Sequence, residues 1–500
     1  MTVNAPLRPA TAGWSEPVFG GQGAARTARP GSAQADGVQA DSVQAGSAQA
    51  EGARVLRLGR VVVPLRWPRS LAAWALIVSV IATAVMVGEP GKIRNTTWND
   101  TYRYITAIER DLGKSDAQAK AIALDYYCTD LARTTGNAAT KAGIRSGCIA
   151  QWTAAGGLSP NLPRFNQIFD SRPGYPLLAA PFVAGFGLNR GLALLSVLLT
   201  LLAGWGVVLL IRLAGGGTLA ALAGMVALYT MPTWFWLNQF LTEAPTLVCT
   251  IAVLIGAVLI LRGRTRLGLV VSTIAYVCGF VVRYSTFSVQ AGCMVLTIGL
   301  LAWWSREWRN RRAGLLALYN AGVLVVLTLL PMAFGWPGFK DSLEDTFTNH
   351  YAKPTPPDLY GKWISLNRHF WLATAKNYLH DPLVPALLIL GAVLLWRYRR
   401  DFGAIVGAAA LTGLVSAAAH PLTSQLDRLY FQVYLLGICG LPILADLIER
   451  QPGLFEAVRA SRAEAKPGAA KDVTSGATDD GHSARRKADP DAAGSFVRTT

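Results

Sequence analysis

The chain has 500 residues, of which 52% are hydrophobic and only 15% charged, against about 25% charged in an ordinary globular protein. Mean hydropathy is +0.32, and several charge-free runs approach the ~20 residues that cross a bilayer as a helix. A soluble enzyme, a collagen, a disulfide mini-protein and a wholly disordered chain are excluded, and the net charge of +17 follows arginines flanking apolar runs rather than a nucleic-acid surface.

Residues 1–66 are rich in Ala, Gly, Arg and Gln, lack helix periodicity and repeat a Gln-Ala-Asp-Gly-Val-like pentapeptide over 34–53. A five-residue period is too short for a solenoid, so this segment reads as a disordered cytoplasmic tail. The first apolar run, 71–88, reads as an uncleaved anchor. Arg54, Arg57, Arg60, Arg66 and Arg69 precede it and assign the N-terminus to the cytoplasm. Residues 89–174 form a long polar loop outside. The apolar piece 175–186 is too short to span and reads as re-entrant or interfacial. Spans are expected at 191–213, 218–233 and 242–261, with Pro232, Asn238 and Pro245 marking the break between the last two.

Residues 267–304 hold one charge, Arg283, near their midpoint. As one helix they would reach about 57 Å, nearly twice the ~30 Å hydrocarbon core, so a hairpin turning at Arg283 is expected. Further spans follow at 314–334, 382–396, 403–419 and 429–448, with a second polar loop at 335–381 and a disordered tail from 449. The basic clusters Arg262/Arg264/Arg266, Arg306/Arg309/Arg311/Arg312 and Arg397/Arg399/Arg400 all fall on the cytoplasmic side of this topology. The expected fold is an all-α polytopic membrane domain over 67–448, with about ten transmembrane helices and both termini inside.

The first outer loop opens Trp98-Asn99-Asp100-Thr101-Tyr102. Tyr102, Ile105, Ile108 and Leu112 fall at helical spacing and suggest an amphipathic helix on the bilayer surface. A carboxylate at its start, Asp100, suits proton abstraction or metal binding; the plain alternative is a helix N-cap. The loop closes Asp170-Ser171-Arg172-Pro173-Gly174-Tyr175-Pro176, where Arg172 suits either a phosphate or a lipid headgroup. Glu243 and Arg283 are the sole charges in their hairpins. Intramembrane ions mark function or pair with each other. Lys340, His369 and Arg428 are further candidates in outer loops. Cys128 and Cys148 share the first outer loop, and a disulfide between them is expected. The other cysteines lie in apolar runs and read as packing residues. No zinc spacing, P-loop or dinucleotide fingerprint occurs.

The acidic opening of the long loop, its closing Arg172-Pro173-Gly174-Tyr175-Pro176-Leu177-Leu178, and Leu241-Thr242-Glu243-Ala244-Pro245 together resemble the GT-C class of membrane glycosyltransferases. That class includes protein O-mannosyltransferases, the lipid A aminoarabinose transferase, and actinobacterial arabinosyl- and mannosyltransferases. The resemblance implies a sugar taken from a polyprenyl-phosphate donor and given to an extracytoplasmic glycan, lipid or protein of the cell envelope. It implies Asp100 as general base and Asp170 as the second acid of the loop. Arg172, Arg283 and Arg428 would hold the donor phosphate, with Glu243, Lys340 and His369 as site or structural charges. Many members pair two acids where this chain has Asn99-Asp100; a lone acid still serves as a base but weakens the case for a two-carboxylate metal site, so no cofactor is assigned and a divalent Mg or Mn ion stays an open question. Membrane lipids are implied partners and nucleic acid is not. The setting implied is a plasma membrane, and the Ala/Arg/Gly bias resembles a high-GC bacterium. The competing readings are a lipid or solute transporter or flippase, and an inactive scaffold of the same fold.

Overall fold

The computed structural model describes residues 54–58, 61–65, 70–88, 98–135, 140–159 and 161–450. The chain divides into two units, 1–450 and 451–500. The C-terminal tail from 451, the pentapeptide repeats and the N-terminal tail up to 53 lie outside the described residues. Within the expected tail, β1 (Arg54–Leu58) and β2 (Val61–Leu65) pair antiparallel, Arg54 opposite Leu65 and Leu58 opposite Val61. The run Val61-Val62-Val63 is β-favouring, a signal that helix periodicity does not read.

Everything else with regular structure is helical. Helix α1 (Leu71–Gly88) forms where the first span is expected, as a shorter apolar helix. The first loop then builds α2 (Asn99–Asp111), α3 (Asp116–Thr135), α4 (Lys141–Ala154) and α5 (Pro163–Asp170), the last started by Pro163 at a position where its missing N–H is not needed. The Cys128–Cys148 disulfide ties α3 to α4, with Cα atoms 5.7 Å apart, as expected from the sequence. Helix α2 differs from expectation. Besides Tyr102, Ile105 and Ile108 it buries Arg103, Tyr104, Thr106 and Glu109, because α3 and α6 cover it; it is packed on more than the one face that its periodicity marks.

Helix α6 (Gly174–Phe186) is the short apolar piece, and Gly187 at φ +76° turns it back onto α7 (Leu188–Leu213). The two backbones are so close that a Cβ on Gly191 would sit 2.5 Å from the Phe182 carbonyl oxygen. Helices α8 (Thr218–Thr230), α9 (Thr233–Leu237) and α10 (Glu243–Leu261) follow, broken at Pro232 and Asn238. Helix α10 is buried on nearly every face. Its Thr250 accepts a hydrogen bond from Gln432 and donates one to Gln290.

Helix α11 (Thr265–Trp304) is interrupted at Arg283, whose φ −164°, ψ 70° is not helical. The two halves fold back on each other: the Tyr276 and Phe287 rings lie 6.2 Å apart, where a straight helix would separate their Cα atoms by about 16 Å. This is the hairpin expected from the lone arginine. After α12 (Arg311–Ala333) the second loop holds α13 (Phe339–Phe347) and α14 (Leu359–His380), and α14 meets α15 (Leu383–Tyr398) at 97°.

Helix α16 (Arg400–Ala419) leads to the one-turn α17 (Leu426–Leu429), then α18 (Leu435–Gly440) and α19 (Pro442–Glu449). The last expected span, 429–448, is therefore not one helix: 430–434 is turn, and Pro442 interrupts the hydrogen-bond ladder. Among the described residues, α7, α10, α11, α12 and α16 are long and apolar enough to cross a membrane, and α14–α15 would make six as one bent span; α1, α6 and α8 are shorter apolar helices. The chain is a polytopic helical membrane protein.

Candidate active site

The charges that the sequence sets apart meet at one point. Arg428, on α17, donates from Nε to Glu243 Oε1 and from Nη2 to Asp100 Oδ2, each at 2.5 Å. Arg283 donates to the same Glu243 oxygen at 3.1 Å. The charge of Arg172 reaches both Asp100 and Arg283. Each residue sits at a helix end or break. Asp100 is in the first turn of α2 and Glu243 is the first residue of α10, where unpaired N–H groups and the helix dipole favour a carboxylate. Arg172 lies between α5 and α6, and Arg283 occupies the break in α11. The N-cap of α2 is Trp98, with no side-chain cap bond. Asp100 is thus an ion-pair partner and not a cap.

Glu243 and Arg428 are buried, whereas 21% of the Asp100 side chain is exposed. Burial alone would raise the Asp100 carboxyl, but Arg428, then Arg172 and Arg103, outweigh it and hold the group below its ordinary value of 3.8. Burial likewise opposes the charge on Arg428, and Asp100 and Glu243 reverse that, holding the guanidinium above its ordinary range. Asp100 and Arg428 are therefore charged, and the guanidiniums gathered here, Arg428, Arg283, Arg172 and Arg103, outnumber the carboxylates Asp100 and Glu243.

Several buried polar atoms beside it have no protein partner: Tyr104 Oη, Tyr175 Oη, Arg172 Nε, Glu243 Oε2 and Thr242 Oγ1. Such atoms are uncommon in native interiors and call for an explanation. A divalent cation does not fit them. Both carboxylates already face guanidiniums, the surplus charge is positive, and most of the unpartnered atoms belong to donors. Among the described residues no group of three or more His, Cys, Asp or Glu gathers elsewhere to hold a metal. The arrangement suits an anion.

Asp100, Arg172, Glu243, Arg283 and Arg428 are thus brought together, including the Glu243–Arg283 pair anticipated as an alternative to function. Asp170 is not among them. It is exposed at the end of α5, its carboxyl raised by burial against the pull of Arg110 and Arg103. Lys340 is exposed and lies 3.8 Å from Glu344, and His369 is exposed on α14.

Sequence reasoning passed over Tyr104 and Tyr175, whose rings meet edge-on at 5.4 Å. It also passed over a second group where the two outer loops join. Arg164 pairs with Asp341 and Glu344 and covers the Tyr351 ring, while Gln167 donates to the Gly335 carbonyl. Buried Asp345 holds His350 Nδ1 at 3.0 Å, and the imidazole packs at a tilt against the Phe165 ring, 4.5 Å between centroids. Asn349, His350 and Tyr351 all have positive φ, 52° to 63°, a strained run for L-residues. The left-handed turn lets Tyr351 N–H reach Thr348 Oγ1 at 2.8 Å. No glycine marks this turn in the sequence. Comparison of the chain with known protein families, curated proteins and solved structures returns no match.

Proposed function

We propose that the chain is a membrane glycosyltransferase, transferring a sugar from a polyprenyl-phosphate donor to an acceptor hydroxyl on the extracytoplasmic face. The observation that carries this reading is the cluster at the helix ends, in which Arg428 bridges Asp100 and Glu243 while Arg283 and Arg172 stand beside them. In the proposed reaction the donor phosphate engages the guanidiniums and displaces Asp100 from Arg428. The released carboxylate takes the acceptor O–H proton, the acceptor oxygen bonds to the anomeric carbon, and the C–O bond to phosphate breaks with its electron pair leaving on polyprenyl phosphate. The guanidiniums stabilise that growing negative charge. Ten crossings, counting α11 as two, with both termini cytoplasmic in a bacterial cell membrane, complete the proposal. Reporter fusions after residues 264, 308 and 400 should then read cytoplasmic, and fusions within 110–160 external.

A scaffold reading draws on the same ion pairs, since they satisfy one another without a ligand. Profiling lipid-linked sugars in cells with the gene, without it, and with an Asp100→Asn copy separates the two. Accumulation of one polyprenyl-phosphate sugar in the deletion and in the Asn strain supports transfer. An unchanged profile in both would leave the scaffold or transporter reading.

A further inference from the structure

We infer that the hydroxyls of Tyr104 and Tyr175 are donors to the phosphate of the lipid-linked substrate, poised for the charge that develops as the sugar leaves. The inference rests on the glycosyltransferase reading and deepens it. The Tyr104 and Tyr175 side chains are among the largest fully buried ones, at 1% and 2% exposure. Buried tyrosines normally find a partner for the O–H, yet neither hydroxyl has one in the protein. A phenylalanine would fill either site without leaving a buried hydroxyl unsatisfied, so packing alone does not account for both.

Their surroundings point to an anion. Tyr104 lies within reach of the charges of Arg172, Asp100, Glu243 and Arg428; Tyr175 lies within reach of Tyr126, Tyr104 and Glu243, and joins the site through its edge-on contact with Tyr104. Arg172 Nε, a third unpartnered donor, lies within reach of Tyr104. Gly174 fixes the start of α6 against the break that carries Arg283: a Cβ there would lie 2.7 Å from Val281 C and Val282 N. The backbone that enters Tyr175 is therefore held beside the Arg283 bend. Burial raises the Tyr104 phenol above its ordinary value of 10.0, so it stays a donor.

The charges decide what these donors serve. A polyprenyl-phosphate sugar is a phosphodiester carrying one negative charge, which the excess of guanidiniums over carboxylates at the cluster accommodates. When the anomeric C–O bond breaks, the phosphate becomes a monoester and approaches two negative charges with a third terminal oxygen. The guanidiniums are already shared with Asp100 and Glu243. Neutral O–H donors, fixed before the reaction and otherwise idle, are what the added charge requires. Their contribution therefore falls more on turnover and on the product than on donor capture.

The test uses the full-length protein in nanodiscs and the variants Tyr104→Phe and Tyr175→Phe, with decaprenyl phosphate as probe and decaprenol as control. Thermal midpoints and probe affinities are measured together. If the hydroxyls have no protein partner, each Phe variant keeps or raises the midpoint, because it removes an unsatisfied buried group. Affinity for decaprenyl phosphate should fall about 10-fold or more per hydroxyl, with decaprenol binding unchanged. Where transfer is measurable, kcat should fall more than KM rises. A lowered midpoint would assign the hydroxyl a protein partner and overturn the inference, whatever happens to binding. Unchanged phosphate affinity in both variants would overturn it while leaving the transferase reading intact. If the parent itself fails to distinguish decaprenyl phosphate from decaprenol, that reading fails and the inference goes with it.

Discussion

Asp100 and Glu243 both pair with Arg428, but replacing their charges should have opposite weight on stability and on chemistry. Glu243 is 1% exposed and its Oε1 accepts from two guanidiniums, at 2.5 and 3.1 Å. Glu243→Gln leaves Arg428 with Asp100 alone and removes the carboxylate that Arg283 bonds. Breaking a buried pair from one side costs about 3–5 kcal/mol. Asp100 is partly exposed, and Arg428 keeps Glu243 if Asp100 becomes Asn, so Asp100→Asn should cost only about 1–2 kcal/mol. No cap is lost, because Trp98 holds that position. Under the proposed mechanism transfer should nevertheless fall about 10²–10⁴-fold, since the proposed general base is gone. Polyprenyl phosphate should bind the Asn variant more tightly, since Asp100 no longer competes for Arg428 Nη2. The assay pairs thermal unfolding in nanodiscs with transfer from a radiolabelled polyprenyl-phosphate sugar and equilibrium binding of the unglycosylated lipid phosphate. An Asp100→Asn protein that unfolds as early as Glu243→Gln, or that binds lipid phosphate less well than the parent, would refute the idea that Asp100 is a displaceable partner. One that keeps near-full turnover would remove it as the base.

Two other outcomes are expected. Replacing Cys128 and Cys148 by Ser opens a loop of 20 residues and should lower stability by about 3 kcal/mol on chain entropy; in the parent, an impermeant maleimide should label neither sulfur before reduction, and labelling would rule out the bond. The His420 imidazole is lowered to about 4, first by burial and then by Arg428, His350 and Arg283 against the pull of Asp345. The folded state therefore resists a proton that the unfolded chain binds near pH 6.5, so stability should fall by up to about 3 kcal/mol as pH drops from about 6.5 to about 4. His420→Gln should flatten that limb of the unfolding midpoint against pH, while an unchanged slope would show that His420 does not cause it. The loss tied to Asp100 comes later, as pH passes below its ordinary 3.8 and through its lowered folded value.

What was legible in the sequence was what an apolar background makes conspicuous. A single Glu243 and a single Arg283 stand out because a charge in a span is costly, and the excess length of the segment around Arg283 forces the chain to fold back. The break at Pro232 and Asn238 followed from residue chemistry alone. The partners were less visible. Arg428 lies 328 positions from Asp100 and 185 from Glu243, and no local pattern encodes such a pairing. Tyr104 and Tyr175 look like any aromatic near a membrane surface until their hydroxyls prove unpartnered. Periodicity gave one buried face of α2 correctly. It could not report that α3 and α6 cover the helix more widely, since Arg103, Thr106 and Glu109 read as solvated in sequence and are buried in the fold. The final span failed for a related reason: hydropathy counts apolar residues over 429–448 but does not see the turn at 430–434 that follows Arg428.

The meeting of charges depends on backbone closeness as much as on the charges, and Gly174 tests this without touching any of them. It opens α6 between Arg172 and Tyr175, and a Cβ there would fall 2.7 Å from backbone atoms of Val281 and Val282. Backbone cannot swing aside as a side-chain tip can, so Gly174→Ala must push α6 away from the α11 break. As a helix former alanine is better than glycine by about 1 kcal/mol, and Gly174 lacks the positive φ that would make alanine strained. Any loss of stability would therefore come from the contact, at about 1–3 kcal/mol for an overpacked site. The displacement moves Arg172 and Tyr175 together relative to Arg283, and the proposed phosphate recognition depends on their convergence. The variant should insert and fold yet bind polyprenyl phosphate weakly, while Gly185→Ala, with nothing within 4 Å of its Cβ, should behave as the parent. If Gly174→Ala binds lipid phosphate normally, the start of α6 does not set the geometry of the cluster, and Arg172 must be removed from the phosphate site.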